Sequence, residues 1–425
     1  MLSVDLRARE RAVLVALAFR RVSHQDAWPV EEIAAELKEL VRSSGVDVLA
    51  EMVVIREAPT PGLLMGRGKA ESLRALVQEQ RADVVIVSHD LSPAQQRNLE
   101  ALIEVKVIDR TQLILDIFAQ RAHSQEGKVQ VALAQHEYLL PRLTGKGIAL
   151  SRLGGGIGTR GPGEQKLELD RRRIRAQIGR LQRDLVQIRR RRAQVRRERQ
   201  TRQIPMLTLV GYTNAGKTTL FNALTKTQAV VADQLFTTLD PTARRILLPT
   251  RQPVVISDTV GFLHHLPHHL IEAFQATLEE VLESHLLVHV VDAAHPQRER
   301  LTASVEEVLR QLAAEEKPQL LVFNKCDRLD EGARRRLSRE APNAVQISAL
   351  TGEGVSSLRD RIASQMTAQR VPVTLVIPQQ AQQWVHRIYE EGTVTARRDA
   401  GGAVHLDAVV PLSLKAQLLK SGFLA

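Results

Sequence analysis

GYTNAGKT, Gly211 to Thr218, follows the apolar run Met206–Val210 and leads into TLFNALTK, a helix-forming stretch. Strand, glycine-containing loop and helix in that order are what a phosphate cradle requires. The glycines let successive backbone N–H groups turn toward a β-phosphate, and the helix N-terminus adds its positive dipole end. Lys217 is expected to reach the β- and γ-phosphates, and Thr218 to hold Mg²⁺. The stretch therefore predicts a nucleoside triphosphate lying along Gly211, Tyr212, Thr213, Asn214, Ala215, Gly216, Lys217, Thr218 and Thr219. A tight glycine turn without a ligand is the plain alternative, and the flanking strand and helix argue against it.

Toward the C-terminus, Asn324-Lys-Cys-Asp327 ends a second apolar run, Gln319–Phe323, and so hangs from the end of another strand. A carboxylate there can accept from two adjacent guanine donors, N1–H and the 2-amino group, whereas adenine offers neither. Such a site rejects the wrong base, because its own polar group would stay desolvated and unpaired. Asp327 is thus the expected reader of guanine, with Asn324, Lys325 and Cys326 beside it and Ser348, Ala349 and Leu350 backing the base. Between these ends, Val254–Gly261 reads as a strand that delivers Asp258 to the Mg²⁺ shell and continues through Thr259 and Val260 to Gly261. The Gly261 N–H is expected to meet the γ-phosphate. Phe236, Thr237, Thr238, Leu239 and Asp240 form the expected first switch, with Thr238 preferred to Thr237 as the Mg²⁺ ligand. The set resembles the Ras-like P-loop GTPases, and it makes Lys217, Thr238 and Gly261 the expected catalytic groups of a GTP hydrolase.

With 425 residues the chain has material for two or three domains, each with an ample core. No uninterrupted apolar run approaches the ~18 residues of a membrane span. The N-terminal MLSVDLRARERAV is charged and lacks the small-residue cleavage site of a secretory signal. Cys326 is the only cysteine, which excludes an intramolecular disulfide and points to the cytoplasm. Its place inside NKCD suggests a filler facing the ribose edge; redox sensing is the alternative.

The net charge of +11 is unevenly placed. Residues 160–202 hold sixteen Lys/Arg against five Asp/Glu, a net of +11, which leaves the remainder balanced at 43 of each sign. Within this span Ile174, Ile178, Leu181, Leu185, Ile188 and Val195 recur at helical spacing, with arginine around the rest. The pattern predicts a helix of about 35 residues, about 50 Å long. Its apolar stripe needs a partner, and Glu126–Arg142 offers one, with Val129, Leu133 and Leu140 on one side and Val131 and Leu139 adding breadth. Two such helices would form an antiparallel hairpin. Their connection carries Arg152, Gly154, Gly155, Gly156, Gly158, Arg160 and Gly161, too few side chains to bury a core. It reads as a flexible linker or as a slim finger able to enter a crowded RNA cavity. For the helix, a solvated face competes with an RNA-phosphate face. So lopsided a charge would repel itself without a polyanion, which favours RNA, with Arg171, Arg172 and Arg173 among the contacts.

Upstream, the strands AVLVALAF, VLAEMVVI, DVVIVS and VKVID alternate with helical stretches near Val30–Arg42, Lys69–Gln80 and Pro93–Ile103. That order predicts a small parallel-sheet domain. Gly66-Arg-Gly-Lys69 lacks the spacing of a phosphate loop and reads as a strand-to-helix turn, with a second nucleotide site as the alternative. Beyond Arg370 come VPVTLVIP, a helix near Gln379–Tyr389, two strands around Gly401-Gly402 and a terminal helix. These predict a small α+β domain with Trp384 and Tyr389 in its core. The expected divisions are 1–122, 123–203, 204–368 and 369–425.

An αβ domain, a hairpin tipped by GGGIGTRGPGE, then GYTNAGKT, FTTLDPT, DTVGF, NKCD and SAL together closely resemble the HflX family of ribosome-associated GTPases, in the Obg–HflX-like superfamily. The resemblance covers nearly the whole chain and is weakest in the C-terminal domain. It implies binding to the large (50S) ribosomal subunit, with the tip reaching the peptidyl-transferase region of 23S rRNA. It also implies splitting of stalled 70S ribosomes, notably under heat stress, by a protein that is monomeric off the ribosome. Many GTPases orient the attacking water with a glutamine just after the glycine of the Asp258–Gly261 loop. Phe262 stands there and can neither donate nor accept, so intrinsic hydrolysis is expected to be slow and stimulated by the ribosome. Asn214 resembles the asparagine through which some related GTPases coordinate K⁺; a turn-stabilising asparagine fits equally well. His264, His265, His268 and His269 form i, i+4 pairs that could hold a transition metal, but Pro267 puts a helix boundary between them, so contact with rRNA or solvent is expected instead. Two further classes remain: a nucleotide-driven RNA-remodelling enzyme using GTP and ATP, and a tRNA-modification GTPase, which would bring a C-terminal cysteine and a folate domain not seen here.

Overall fold

A computed structural model of the chain describes residues 10–20, 28–143, 162–201, 204–226, 242–250, 252–262, 275–368 and 370–424. The first sheet is built from β1 (Arg11–Phe19), β2 (Asp47–Arg56), β3 (Val84–Val87) and β4 (Lys106–Asp109). They run parallel, as the alternation of strands and helices predicts, and lie in the order β2-β1-β3-β4. β1 is covered on both faces, which explains its unbroken apolar run. Its Ala12 and Leu14 pack with α1 (Val30–Ser44) and α4 (Arg110–Arg121), while Val13, Val15 and Leu17 pack with α2 (Arg67–Gln80) and α3 (Pro93–Ile103). α3 starts where the sequence asks it to. The Ser92 hydroxyl accepts from Gln95 N at 3.2 Å, Gln95 Oε1 accepts from Ser92 N at 2.9 Å, and Pro93 fills the first turn. α4 was not anticipated from the sequence. Its Leu113, Ile114, Leu115, Ile117 and Phe118 are all buried, so the run lacks the polar interruptions that mark a helix period.

α5 (Gln125–Leu139), a 3₁₀ turn at Leu140–Leu143 and α6 (Pro162–Thr201) follow. α6 is 40 residues long, about 60 Å at 1.5 Å per residue, somewhat beyond expectation. Leu185 is buried and Ile174, Ile178, Leu181 and Ile188 are half-buried, whereas Arg172, Arg173, Arg175, Arg180 and Arg183 face solvent. Among the residues whose side chains are described, the expected stripe is present from Ile174 to Ile188 on a helix that packs against α5; Val195 lies outside them. On α5 itself the reading needs correction. Leu139 is exposed and Leu133 only half-buried, because Val131, Ala134 and Tyr138 join the core with α4. α5 divides its apolar surface between two neighbours, which widens its buried face and shifts it. Arg152, Gly154, Gly155, Gly156, Gly158, Arg160 and Gly161 lie outside the described residues.

The second sheet has the order β10-β9-β8-β5-β7-β6. β5 (Met206–Val210) is central, with β7 (Pro253–Asp258) and β8 (Leu286–Asp292) beside it and β9 (Gln319–Asn324) and β10 (Val345–Gln346) beyond β8, all parallel. β6 (Thr242–Leu247) pairs antiparallel with β7 at the edge. The helices are α7 (Lys217–Thr225), α8 (Gln275–Glu283), α9 (Arg298–Gln311), α10 (Glu331–Glu340) and α11 (Val355–Ala368). GYTNAGKT, DTVG, NKCD and SAL all leave from the carboxyl ends of parallel strands, the edge at which open α/β sheets bind ligands.

The last unit is an antiparallel sheet, β11 (Arg370–Pro378), β13 (Ala403–Pro411) and β12 (Thr393–Ala400) in that spatial order. α12 (Gln382–Glu391) and α13 (Leu412–Lys420) pack on it through Ile388, Leu414 and Leu418. Trp384 is part of this packing, edge-on to Phe423 at 5.8 Å between centroids. Tyr389 is not: it is half exposed, since Val385 and Ile388 occupy the inward face of α12. Among the described residues, no helix is long and apolar enough to cross a membrane.

Candidate nucleotide site

Two glycines fix the shape of the phosphate loop. Gly216 has φ +88°, and a Cβ there would lie 2.2 Å from the Asn324 amide nitrogen. At Gly261 a Cβ would come within 2.6 Å of Thr213 Cα and 2.9 Å of Lys217 Nζ. A side chain at either place would force loops apart that must touch. Lys217, at the start of α7, is buried beneath the loop and donates to the carbonyls of Gly211 at 3.0 Å and Tyr212 at 2.7 Å. Burial pushes its ammonium down to about 8, and Asp258 opposes that shift. A phosphate at this place would restore full protonation. Asn214 takes the left-handed conformation, φ +59°, in the middle of the loop.

The Thr218 hydroxyl donates to Asp258 Oδ2 at 2.8 Å across the β5–β7 boundary. A hydroxyl and a carboxylate brought together in this way are the hard oxygen donors that Mg²⁺ takes. Thr259 Oγ1 donates to Leu209 O at 2.6 Å and Val260 is buried, so both side chains serve the sheet and only their backbone remains for a nucleotide. Phe262 is buried too. Its N–H donates to Gly211 O at 3.1 Å and its carbonyl accepts from Thr213 N at 2.9 Å, which ties this loop to the phosphate loop.

Asn324 joins three motifs. Its side chain donates to Ala215 O at 2.9 Å and accepts from Ala349 N at 2.9 Å, all within the interior. Lys325 adopts a left-handed φ of +62° and pairs with Asp292 at 2.7 Å. Asp327 is exposed at the strand end, free of the packing that surrounds its neighbours. Cys326 does not face a ribose edge. The one-turn 3₁₀ helix Cys326–Arg328 turns the thiol inward, against Val291, Ala293, Phe323 and Leu337. Burial raises its pKa, which removes the basis for a redox sensor. In the base-backing loop, Ser348 Oγ accepts from Thr351 N at 3.2 Å, Ala349 is buried and Leu350 is open to solvent. Thr219 is half-buried on α7. Phe236, Thr237, Thr238, Leu239 and Asp240 lie outside the described residues, as do His264, His265, His268 and His269; among the described residues, no cluster of His, Cys, Asp and Glu could hold a metal ion.

Two groups beside the loop carry no local sequence signal. The Tyr212 hydroxyl donates to Glu36 of α1, which also accepts from Arg110 of α4. A separation of 176 residues leaves no local signal for that contact. His289 of β8 lies buried behind the loop, lowered to about 4 by burial and by the charge of Lys217. It is neutral at pH 7.

Four family models match in succession: "GTP-binding GTPase N-terminal" over 31–119, "GTP-binding GTPase Middle Region" over 121–199, "50S ribosome-binding GTPase" over 206–325 and "HflX C-terminal domain" over 334–418. The GTPase HflX of Caldanaerobacter subterraneus is 43% identical, over 97% of this chain and 94% of that protein. That of Escherichia coli is also 43% identical, over 95% of this chain and 94% of its own length. The chain belongs to the HflX family. It is accordingly a P-loop GTP hydrolase, in agreement with the motifs. The match over 334–418 corrects the expectation that the HflX likeness fades toward the C-terminus. A crystal structure of a GTP-binding protein from Sulfolobus solfataricus in complex with GDP covers 84% of this chain and 99% of that one, at 24% identity and a TM-score of 0.43.

Proposed function

We propose that this HflX-family GTPase binds the large ribosomal subunit when loaded with GTP and splits stalled 70S ribosomes, notably under heat stress. The observation that carries the reading is the orientation of α6: its half-buried Ile174, Ile178, Leu181 and Ile188 and buried Leu185 go with its packing on α5, while Arg172, Arg173, Arg175, Arg180 and Arg183 are exposed. These exposed arginines present a cationic face that suits rRNA phosphate. Arg171, Arg172 and Arg173 hold the backbone, and the tip residues Arg152, Gly154, Gly155, Gly156, Gly158, Arg160 and Gly161 reach 23S rRNA. The matching description of a 50S ribosome-binding GTPase over 206–325 supports the partner. The division into 1–122, 123–203, 204–368 and 369–425 belongs to the same proposal, as do a cytoplasmic location and a monomeric free state.

GTP lies along Gly211–Thr219, with Asp327 reading guanine and Ser348–Leu350 behind the base. Thr218, Thr238 and the Asp258 carboxylate hold Mg²⁺, which neutralises charge on the β- and γ-phosphates. Lys217 and the Gly261 N–H hold the γ-phosphate. Phe262 points into the core, leaving no side chain at that place to orient water. Intrinsic turnover is slow for that reason, and the ribosome raises it. Asn214 serves K⁺; equal hydrolysis in K⁺ and Na⁺ would remove that role. The reading as a whole is tested by sedimenting the protein with 50S and 70S particles in GDP and in a non-hydrolysable GTP analogue. Co-sedimentation with 50S in the analogue is expected, together with loss of the 70S peak. Replacing Arg171, Arg172 and Arg173 by Glu should weaken it and reduce the log–log salt slope by about 2–3, at about 0.7–0.9 per lost phosphate contact. An unchanged slope would refute the assignment of α6.

A further inference from the structure

The N-terminal domain touches the phosphate loop on one side and the base of the hairpin on the other. Toward the loop, Glu36 accepts from the Tyr212 hydroxyl and from Arg110, with the Glu36 and Arg110 side chains 16% and 12% exposed. Burial alone would lower the Arg110 pKa, yet Glu36 and its neighbours hold it above the usual value, so the guanidinium stays charged. Next in the chain, Asp109 is fully buried. Its Oδ1 caps α4 by accepting from Gln112 N at 2.8 Å, and its Oδ2 accepts from Leu91 N at 3.0 Å and from Arg142 at 3.2 Å. Arg142 sits in the turn that ends α5. It lies over the Tyr138 ring at 3.4 Å and donates to Leu91 O at 2.6 Å and Gln96 Oε1 at 3.0 Å.

At the other end, Tyr212 stands between the two residues whose backbones pair with Phe262. Phe262 follows Gly261, the residue assigned to the γ-phosphate. A nucleotide that draws Gly261 forward must act on the Tyr212 pairing first. The contacts beyond it are buried and multiply bonded, so they shift together rather than stretch one by one. The alternative route is the covalent join from α6 into β5, which bypasses the N-terminal domain altogether.

We infer that the guanine-nucleotide state reaches the base of the hairpin across the N-terminal domain, through Tyr212, Glu36, Arg110, Asp109 and Arg142. This rests on the assignment of the γ-phosphate to Gly261. Glu36 and Arg142 act in it as positioning residues, through Tyr212 and through Asp109. Because coupling free energies are reciprocal, a change at Arg142 must alter nucleotide affinity. Spatial continuity alone does not establish coupling, so the test is a double-mutant cycle.

Affinities for GDP and for a non-hydrolysable GTP analogue are measured on the full chain as wild type, Glu36→Gln, Arg142→Lys and the double variant. Thermal melts show that each is folded. Arg142→Met supplements the set if the lysine variant retains the contacts. Each single change is expected to move the analogue-to-GDP affinity ratio by about fivefold or more, and the double variant to match the singles rather than multiply them. Hydrogen exchange over residues 138–143 should differ between analogue and GDP in the wild type and cease to differ in Glu36→Gln. Ratios within twofold of wild type for both Arg142 variants, or single effects that multiply, would overturn the route. A wild type that binds the two nucleotides with the same affinity would instead refute the γ-phosphate assignment beneath it.

Discussion

The N-terminal sheet and the largely parallel GTPase sheet differ at the edge where their parallel strands end. At the carboxyl edge of the N-terminal sheet, the chain's own side chains satisfy the backbone: Ser88 Oγ accepts from Leu17 N at 3.0 Å, and Asp109 takes Leu91 N, Gln112 N and the Arg142 guanidinium. At the same edge of the GTPase sheet, glycines stand where any Cβ would collide, and a lysine is enclosed with its pKa pushed down to about 8. The first edge is finished without a ligand; the second is completed by an anion. Topology marks where a ligand can sit, and the residues at that edge decide whether one does. Gly66-Arg67-Gly68-Lys69 belongs with the first edge. Gly66 precedes α2 with its N–H donated to Thr60 Oγ1 at 3.1 Å, a turn that supports a helix start rather than a cradle.

The hardest test of that contrast is Lys217→Ala. Turnover of GTP should fall by about 10²–10³, the cost of removing one charge-stabilising group from a phosphoryl-transfer site. Equilibrium dialysis should give one nucleotide per chain in the wild type and none in the variant. ATP or GTP retained by Lys217→Ala would mean that the N-terminal edge is a site as well, and would revive the RNA-remodelling alternative. Asp327→Asn should weaken GTP binding by about a hundredfold through the loss of two hydrogen bonds to a charged acceptor, with ATP hardly affected.

A milder handle is pH. The free protein must protonate Lys217 before it can hold a phosphate, and bound phosphate raises its pKa again. Analogue affinity should therefore be flat below about pH 8 and fall by up to about tenfold per pH unit above it. A profile that stays flat to pH 9.5 would contradict the buried-lysine account. The smallest effect belongs to the finished edge. Ser88→Ala orphans the buried Leu17 N–H and should cost about 1–3 kcal/mol of stability, read by denaturant melts, while GTP affinity stays at the wild-type value.

The nucleotide motifs could be read from sequence because each requires particular residues within a few positions of a strand end. The parallel N-terminal sheet likewise follows from unbroken apolar runs separated by helices, whereas its order β2-β1-β3-β4 came only from the structure. What escaped was decided by contacts between distant segments or by the sense of a short turn. α4 and β6 were missed, one because its core residues crowd together and the other because an edge strand with exposed Arg244 and Arg245 has little apolar pattern. Leu139 and Tyr389 look like core by composition, yet the neighbours of α5 and α12 leave them outside. Glu36 reaches the phosphate loop only because two domains pack together, and nothing near Tyr212 in sequence announces it.

Cys326 offers an experimental dividend. As the single thiol of the chain, shut beneath the guanine-reading turn, it will meet an alkylating reagent only when that turn lifts from Leu337 and Phe323. Its labelling rate is a natural clock for the opening, slowed by whatever clamps the turn. The same shielding makes the wild-type protein a quiet background, so a cysteine placed on the outer face of α6 would carry a dye or spin label almost alone.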